Sequence, residues 1–375
     1  MADVIIVGGG LAGLVNALLL SRAGLLVTVI EKRSYPFHRV CGEYISNEVL
    51  PFLESIGVDV FALGAAHIKR LRLTSWRGAQ HTKDLDLGGF GISRYTLDHY
   101  LYQLCMASGV RFALDTQADD IQFADGLFTV ITRVETFTAL LVIGAFGKRS
   151  NLDNKLKRRF FTRRSPYVGI KMHAQIDLPD DMIQLNTFSN GYCGMSKIEG
   201  DRYCVCSLSH RDDLRRYGSI EELQAQVFAQ NPYQKAIYES AEWLYDKPEV
   251  INEVSFEKKE LVHGHILMSG DTAGMIAPLC GNGMTIAMHS ARLLSAAIIK
   301  YYRPGKPFNP KDRLALENTY KRDWNRHFAM RLWFGRRLQS LFDNKDLMHV
   351  AVKGINIIPG LSDLIIKGTH GKPWS

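Results

Sequence analysis

The segment Gly8-Gly9-Gly10-Leu11-Ala12-Gly13 follows the apolar run Val4–Val7 and opens a helical stretch, Leu11–Ala23. A second apolar run, Leu26–Ile30, then delivers Glu31 eighteen residues after Gly13. Strand, glycines, helix, strand and acid in this order make a βαβ unit that holds a dinucleotide. Gly8 permits the tight turn, Gly10 lets the backbone approach a diphosphate, and Gly13 lets helix and strand pack closely. Leu11 and Ala12 contribute free N–H groups at the positive end of the helix dipole, which suits an anion. Glu31 is placed to accept hydrogen bonds from ribose hydroxyls, and Lys32 joins the candidate cofactor contacts. A glycine-rich turn that merely packs is the alternative, and the full order of elements argues against it.

A chain of 375 residues can bury one large core or two joined domains. The apolar stretch from Val4 to Ile30 is broken by its glycines, Asn16, Ser21 and Arg22, so it reads as neither membrane span nor signal peptide. The expected location is cytoplasmic, with peripheral membrane contact as the variant. The six cysteines form no paired CxxC set, so neither zinc nor a disulfide framework is expected. Cys204 and Cys206 are expected to face opposite sides of a strand. Of the net charge of +8, most lies beyond Lys311, where twelve Lys/Arg meet six Asp/Glu. Such a surface favours anionic partners, but no nucleic-acid motif accompanies it and nucleic acid is not expected.

Near the other end of the chain, Gly270-Asp271 follows a buried strand, Ile266–Met268, and Pro278–Met284 opens a long helix. A glycine then an acid at a strand end can face a hydroxyl chain, and a glycine-rich helix start can face an anion. With the first motif about 260 residues upstream, the chain resembles the flavoprotein superfamily of p-hydroxybenzoate hydroxylase-type aromatic hydroxylases and geranylgeranyl reductases. The resemblance covers roughly residues 3–300. It implies FAD, with Asp271 on the ribityl chain and the amides of Gly281, Asn282, Gly283 and Met284 at the flavin pyrimidine edge. It also implies that Arg94, before a helix capped by Thr96, supports FAD, and that Ala118 offers a backbone contact to adenine. NAD(P)H is the implied transient electron donor.

The expected architecture is α/β, a Rossmann-type FAD-binding domain with an inserted, mostly antiparallel β substrate domain and C-terminal helices. The FAD-binding domain takes residues 1–150, with a small sheet excursion at 65–90, and 261–305. The substrate domain takes 151–260 and a helical segment 306–375.

Reaction chemistry is sought where the resemblance places the isoalloxazine. Cys41-Gly42 resembles a Cys-Gly of the geranylgeranyl reductases, and a thiol there can donate a proton, gate substrate or simply fill space. Glu43 serves as a general acid if burial raises its pKa, or else as a loop acid or a partner for Arg39. His38 reads as a loop residue. Tyr192 is the third candidate, kept from the reductases' aromatic stretch whose other bulky positions are lost in Gly191–Ser196. A further departure is Ala145-Phe146-Gly147, where the hydroxylases carry Ala-Asp-Gly. The Trp-x-Trp-x-Ile-Pro stretch of flavin-dependent halogenases is absent.

The basic run Lys155–Arg159 with Arg163-Arg164 reads as a solvated connection, or else as a receiver for an anionic substrate, a carrier protein or NADPH phosphate. In the tail, Tyr320, Trp324, Phe328 and Leu332 recur every four residues among cations. Core packing over the substrate cavity, which supplies an aromatic lid over an apolar pocket, is the commoner cause of such a stripe; the alternative is an interfacial helix touching membrane or carrier protein. The expected activity is redox chemistry on a hydrophobic, lipid-like or polyketide-like molecule. Reduction of a carbon–carbon double bond leads, with aromatic hydroxylation and electron transfer without turnover as the rivals.

Overall fold

Val4, Ile5, Ile6 and Val7 form an uninterrupted apolar run because their strand is covered on both faces. The computed structural model describes residues 1–162, 165–252, 254–277, 281–306, 308–342, 344–358 and 360–374. The chain begins β1 (Ala2–Val7), α1 (Leu11–Arg22), β2 (Val27–Ile30), β3 (Tyr44–Ser46), α2 (Leu50–Ser55), β4 (Ala66–Thr74) and β5 (Gln80–Gly91). It continues α3 (Arg94–Ala107), β6 (Arg111–Ala113), β7 (Ala118–Ala124), β8 (Leu127–Thr132), β9 (Thr136–Gly144) and α4 (Asn151–Lys155). The middle holds β10 (Tyr167–Gln175), β11 (Met182–Phe188), β12 (Gly191–Lys197), β13 (Tyr203–His210), α5 (Arg211–Tyr217), α6 (Ile220–Gln226) and α7 (Pro232–Ser240). The last part is β14 (Glu242–Trp243), β15 (Glu249–Asn252), β16 (Val262–His263), β17 (Ile266–Met268), α8 (Gly283–Tyr301), α9 (Pro310–Phe342), α10 (Lys345–Ile357) and α11 (Leu361–Thr369).

Two sheets result. In the first, β1 pairs in parallel with β2 and β9, β17 adds beyond β9, and β6 beyond β2. This is the expected Rossmann-type core, joined by the β7–β8 hairpin through β9. The second sheet runs β14-β10-β13-β12-β11-β4-β5-β3 and is antiparallel except where β4 meets β11. The excursion at 65–90 therefore supplies strands to the second sheet. Its far face carries Val168, Ile170, Cys193, Met195 and Val205 against Leu223, Phe228 and Ile237 of the α6–α7 region.

Side chains two apart on a strand share a face. Tyr167, Gly169, Lys171 and His173 of β10 thus look the other way, toward the nucleotide domain. The same rule corrects the expectation for Cys204 and Cys206. Both lie on the near face, with the Cys204 thiol donating to the Cys41 carbonyl at 3.3 Å, while Val205 packs on the far side.

A buried polar knot fixes the halves of the first domain. Asn16 Nδ2 donates to Ser269 Oγ (3.0 Å), Ser295 Oγ donates to Asn16 Oδ1 (2.9 Å), and Gly270 N–H donates to Ser290 Oγ (2.9 Å). Gly270, at φ +64°, rests so close to Ala12 that an added Cβ would come within 2.7 Å of it. Residues about 260 apart thereby meet.

One expectation about a surface segment changes, and of the two readings of the tail stripe the core packing holds. Arg158 is buried: it pairs with Asp153 at 2.8 Å and donates to the Thr272 carbonyl at 3.0 Å, bracing the Gly270–Thr272 turn. Arg163 and Arg164 lie outside the described residues. The Tyr320–Leu332 stripe is core, with Tyr320 Oη donating to the Met268 carbonyl at 2.6 Å and Trp324 lying against Gly274. The helix cap before Arg94 is Ser93, which accepts from Thr96 N–H, so Thr96 sits within the first turn.

Candidate functional site

The glycine loop has the strictness that its sequence suggests. Gly8 takes φ +105°, and a Cβ there would fall 2.3 Å from the Ala145 carbonyl oxygen. A Cβ on Gly13 would fall 1.9 Å from the Gly8 carbonyl oxygen. Gly10 differs, because the nearest atom to an added Cβ is the Arg94 guanidinium at 3.7 Å. Helix α1 has no side-chain cap and no acid in its first turn, leaving the N–H groups of its start for an anion. The open space above Gly10 is thus bordered by a helix N-terminus and a cation.

Glu31 is buried and accepts the Gly9 N–H at 2.7 Å and Arg39 at 3.3 Å through one oxygen. Asp98 orders both arginines, pairing with Arg94 at 2.7 Å and Arg39 at 3.2 Å. Tyr35 Oη donates to the Gly9 carbonyl at 2.5 Å and adds an aromatic wall. Lys32 is exposed at the rim, and Ala118 opens β7 just beyond a loop whose Thr116 N–H binds the Glu31 carbonyl at 3.0 Å.

The second motif closes on the first. Lys259, buried over the Phe160 ring, donates to the carbonyls of Lys148 (2.6 Å) and Asp271 (2.8 Å). Burial pushes its pKa down to about 8. The Asp271 side chain is half-buried and makes no hydrogen bond among the described residues. Residues Pro278, Leu279 and Cys280 lie outside the described residues. Gly281 follows at φ +66°, where a Cβ would meet the Tyr44 ring at 2.9 Å. Asn282 is fully buried and gives Nδ2 to the Thr369 carbonyl at 2.6 Å, a tie to the C-terminal helices that sequence did not signal. Its Oδ1 and the Thr285 Oγ1 are buried with no hydrogen-bond partner among the described residues. Gly283 and Met284 begin α8. Unpartnered polar atoms at this helix start fit a flavin pyrimidine edge, which carries both donors and acceptors.

Beside this groove lies an ionic cluster. Glu43, fully buried at φ +52°, accepts the Arg94 N–H at 2.9 Å, Lys171 Nζ at 2.5 Å and His173 Nε2 at 2.6 Å. Burial alone would raise the Glu43 pKa, but the Lys171 charge and the His173 hydrogen bond outweigh it and hold it down at about 2. Glu43 is therefore an ionised anchor. This corrects its expected role as a general acid, and also the pairing with Arg39.

Tyr245 donates to His173 Nδ1 at 2.6 Å and accepts from His38 Nε2 at 3.1 Å. Burial and the nearby Lys171 charge push His38 down to about 4, so it is neutral at physiological pH. His38, Leu244, Tyr245 and Lys247 line an open surface cleft of about 420 Å³. A hydrogen-bonded chain thus runs from that cleft to Glu43. His38 is more than the loop residue expected.

Glu43, His173 and Cys204 offer ligand atoms within 4.8 Å of one another. Lys171 already occupies Glu43, and burial pushes the Cys204 thiol well up, so the trio is a poor cation site. Cys41 is half-buried, and its carbonyl accepts the thiol of Cys204 at 3.3 Å. Tyr192 is not in this group. It sits opposite Leu208, four residues along from the Ser196–Cys204 pair, or about 13 Å. There it joins Tyr167, Leu208 and Met275 in an apolar cluster roofed by Met348 and Val352 of α10.

A family model described as "FAD binding domain" matches residues 1–307. The chain belongs to the FAD-binding domain family. This flavoprotein is 24% identical over 322 residues to the 3-hydroxybenzoate 6-hydroxylase of Klebsiella oxytoca, covering 78% of this chain and 79% of that one. It is 23% identical over 348 residues to the tryptophan 2-halogenase of Chondromyces crocatus, covering 87% of this chain and 65% of that one. It is 25% identical over 187 residues to the menaquinone reductase of Mycobacterium tuberculosis, covering 48% and 46%. The chain therefore spans less than two thirds of the lengths of the halogenase and the reductase. Among solved structures, CmlS, a flavin-dependent halogenase, superimposes with TM-score 0.79 at 21% identity, over 100% of this chain and 74% of that one. Such likeness speaks for the fold.

Replacing Asp271 by Ala is expected to weaken FAD binding about 10- to 100-fold, the worth of a hydrogen bond to a charged group at ~1.5–3 kcal/mol. The fold is expected to persist, because the Asp271 carbonyl, not its carboxylate, is what Lys259 holds. Fluorescence titration of FAD checks this, and an unchanged Kd removes Asp271 from the ribityl site.

Proposed function

We propose that this FAD-dependent oxidoreductase reduces a carbon–carbon double bond in a hydrophobic, lipid-like molecule. The observation that carries the reading is the hydrogen-bonded chain from His38 through Tyr245 and His173 to Glu43. Saturating a double bond adds a hydride to one carbon and a proton to the other. FAD, reduced by a donor such as NAD(P)H, supplies the hydride when bound. The chain's own residues handle the proton.

With Glu43 accepting from His173 Nε2–H, the other ring nitrogen faces the Tyr245 hydroxyl. The neutral His38 in turn donates to Tyr245 and meets solvent in the cleft. His38, Tyr245 and His173 therefore each have a donor side and an acceptor side in sequence, a line along which a proton from the cleft reaches the His173 ring, whose charged form the ionised Glu43 stabilises. Cys41, whose carbonyl accepts the thiol of Cys204, is the candidate donor to substrate. Tyr192, Tyr167, Leu208 and Met275 provide the apolar compartment, and Phe146, its ring against Gly144, stands where the hydroxylases carry an acid. The likeness to a menaquinone reductase supports a polyprenyl quinone as the first probe. The halogenase likeness is not adopted, since the sequence has no Trp-x-Trp-x-Ile-Pro stretch.

The test is anaerobic incubation of the photoreduced, FAD-loaded protein with menaquinone and with polyprenyl alcohols. A product that gains two hydrogens on a side-chain double bond is expected, and Tyr245→Phe should slow its formation about 100-fold or more with FAD content unchanged. A product carrying oxygen-18 from labelled dioxygen, with no hydrogenated product, would establish hydroxylation instead.

A further inference from the structure

Among the described residues no single helix is long and apolar enough to cross a membrane. Helix α10 nevertheless has apolar residues on opposite sides. Met348 and Val352 point inward onto the Tyr192 cluster, while Leu347, Val350 and Ile357, three and seven residues apart, point outward and are 46–77% exposed. A helix that is apolar all round is ordinarily buried all round. Ile358 and Leu364 extend the outward surface into α11, and Trp333 adds an exposed aromatic on α9. We propose that the outward faces of α10 and α11, with Trp333, form a docking surface for an anionic lipid bilayer.

Charge selects this occupant. From Met330 onward the chain carries seven Lys/Arg against three Asp. Two of those acids are already paired, Asp346 with Arg77 at 3.5 Å and Asp363 with Lys83 at 2.9 Å. Lys353 and Lys367 are exposed among the outward apolar residues. Apolar side chains flanked by lysines match the acyl and headgroup layers of an anionic leaflet. The helices have 13 and 9 residues, each too short to cross a bilayer, and meet at a bend of 115°.

Docking there bears on the site. The inner face of α10 roofs the apolar compartment, and α11 ends at Thr369, whose carbonyl holds Asn282 and Arg331. A bilayer lipid would meet the roof of that compartment directly. Only this consequence rests on the proposed lipid-like substrate; the docking itself does not.

The experiment is sedimentation of the full FAD-loaded chain with vesicles of phosphatidylcholine alone or mixed with phosphatidylglycerol, read as protein in the pellet. Strong partitioning to the phosphatidylglycerol vesicles, weakened by salt, is expected. Ile357→Glu/Leu364→Glu should reduce it at least tenfold, and Lys353→Glu/Lys367→Glu should remove the preference for anionic lipid. Both variants change exposed positions, and unaltered flavin absorption would report an intact fold. Absence of binding to phosphatidylglycerol vesicles, or binding that the first variant leaves unchanged, overturns the proposal. A dimer in solution that Ile357→Glu/Leu364→Glu dissociates, without vesicle binding, assigns the face to a second copy and also overturns it. The readout involves no turnover, so failure here leaves the proposed reaction standing, and failure of hydrogenation leaves docking standing.

Discussion

Glu43→Ala is expected to destabilise the protein by about 3–5 kcal/mol, the cost of leaving a buried partner charge uncompensated. The stranded charge is the Lys171 ammonium, fully buried and 2.5 Å from the carboxylate. Three hydrogen bonds to the carboxylate would vanish as well, from Lys171, His173 and the Arg94 backbone. The pair itself need not be a large net stabiliser, because both charges had to leave water. A Glu43→Gln/Lys171→Met double variant should therefore recover much of the loss. Denaturant unfolding of the three proteins measures this directly. A single variant within ~0.5 kcal/mol of the parent would mean that the cluster is wet and weakly coupled.

The same group sets a pH dependence. Its folded pKa, about 2, lies below the ordinary 4.5. A depressed carboxylate stabilises the fold fully above its unfolded pKa, and that contribution is lost as pH falls from about 4.5 toward 2. The shift corresponds to roughly 3 kcal/mol. Acid unfolding of the parent should show this loss, and Glu43→Gln should lack it.

The nucleotide end of the site was legible because its constraints are local. Gly8 needs a positive φ, Gly13 needs to lack a Cβ, and both needs are written at single positions. Asp271 was expected on the same local ground, at the end of a short buried strand, and the Asp271→Ala titration is what tests its role. The ionic cluster was not. Its members come from residues 38–43, from β10 and from residue 245, and only sheet topology brings them together. One signal was present: Lys171 and His173 share a face of an otherwise apolar strand, Tyr167–Gln175, and two buried polar groups on one strand face call for a partner. Glu43 was singled out, but its partners decide its protonation, and these lie 128 and 130 residues away. The tail stripe was legible as core packing, the commoner cause of such a repeat. Tyr320 to Leu332 packs inward, so the exposed apolar surface had to be sought on α10 and α11, where short helices show little periodicity.

The central claim is that the space above Gly10 receives the FAD diphosphate, and Gly10→Val against Gly13→Val tests it. At Gly13 the added Cβ strikes the Gly8 carbonyl, so that variant should lose about 3 kcal/mol or more of stability whether or not FAD is present. At Gly10 the backbone is extended, with φ −85° and ψ −175°, and the nearest atom stands 3.7 Å from the new Cβ. Gly10→Val should therefore fold and yet fill the diphosphate's space. The measurement is the FAD affinity of folded, deflavinated Gly10→Val beside the parent. A Kd raised about 10- to 100-fold, with thermal stability of the FAD-free protein unchanged, is the predicted result. Parental FAD affinity in that variant would contradict the placement of the cofactor at the glycine loop.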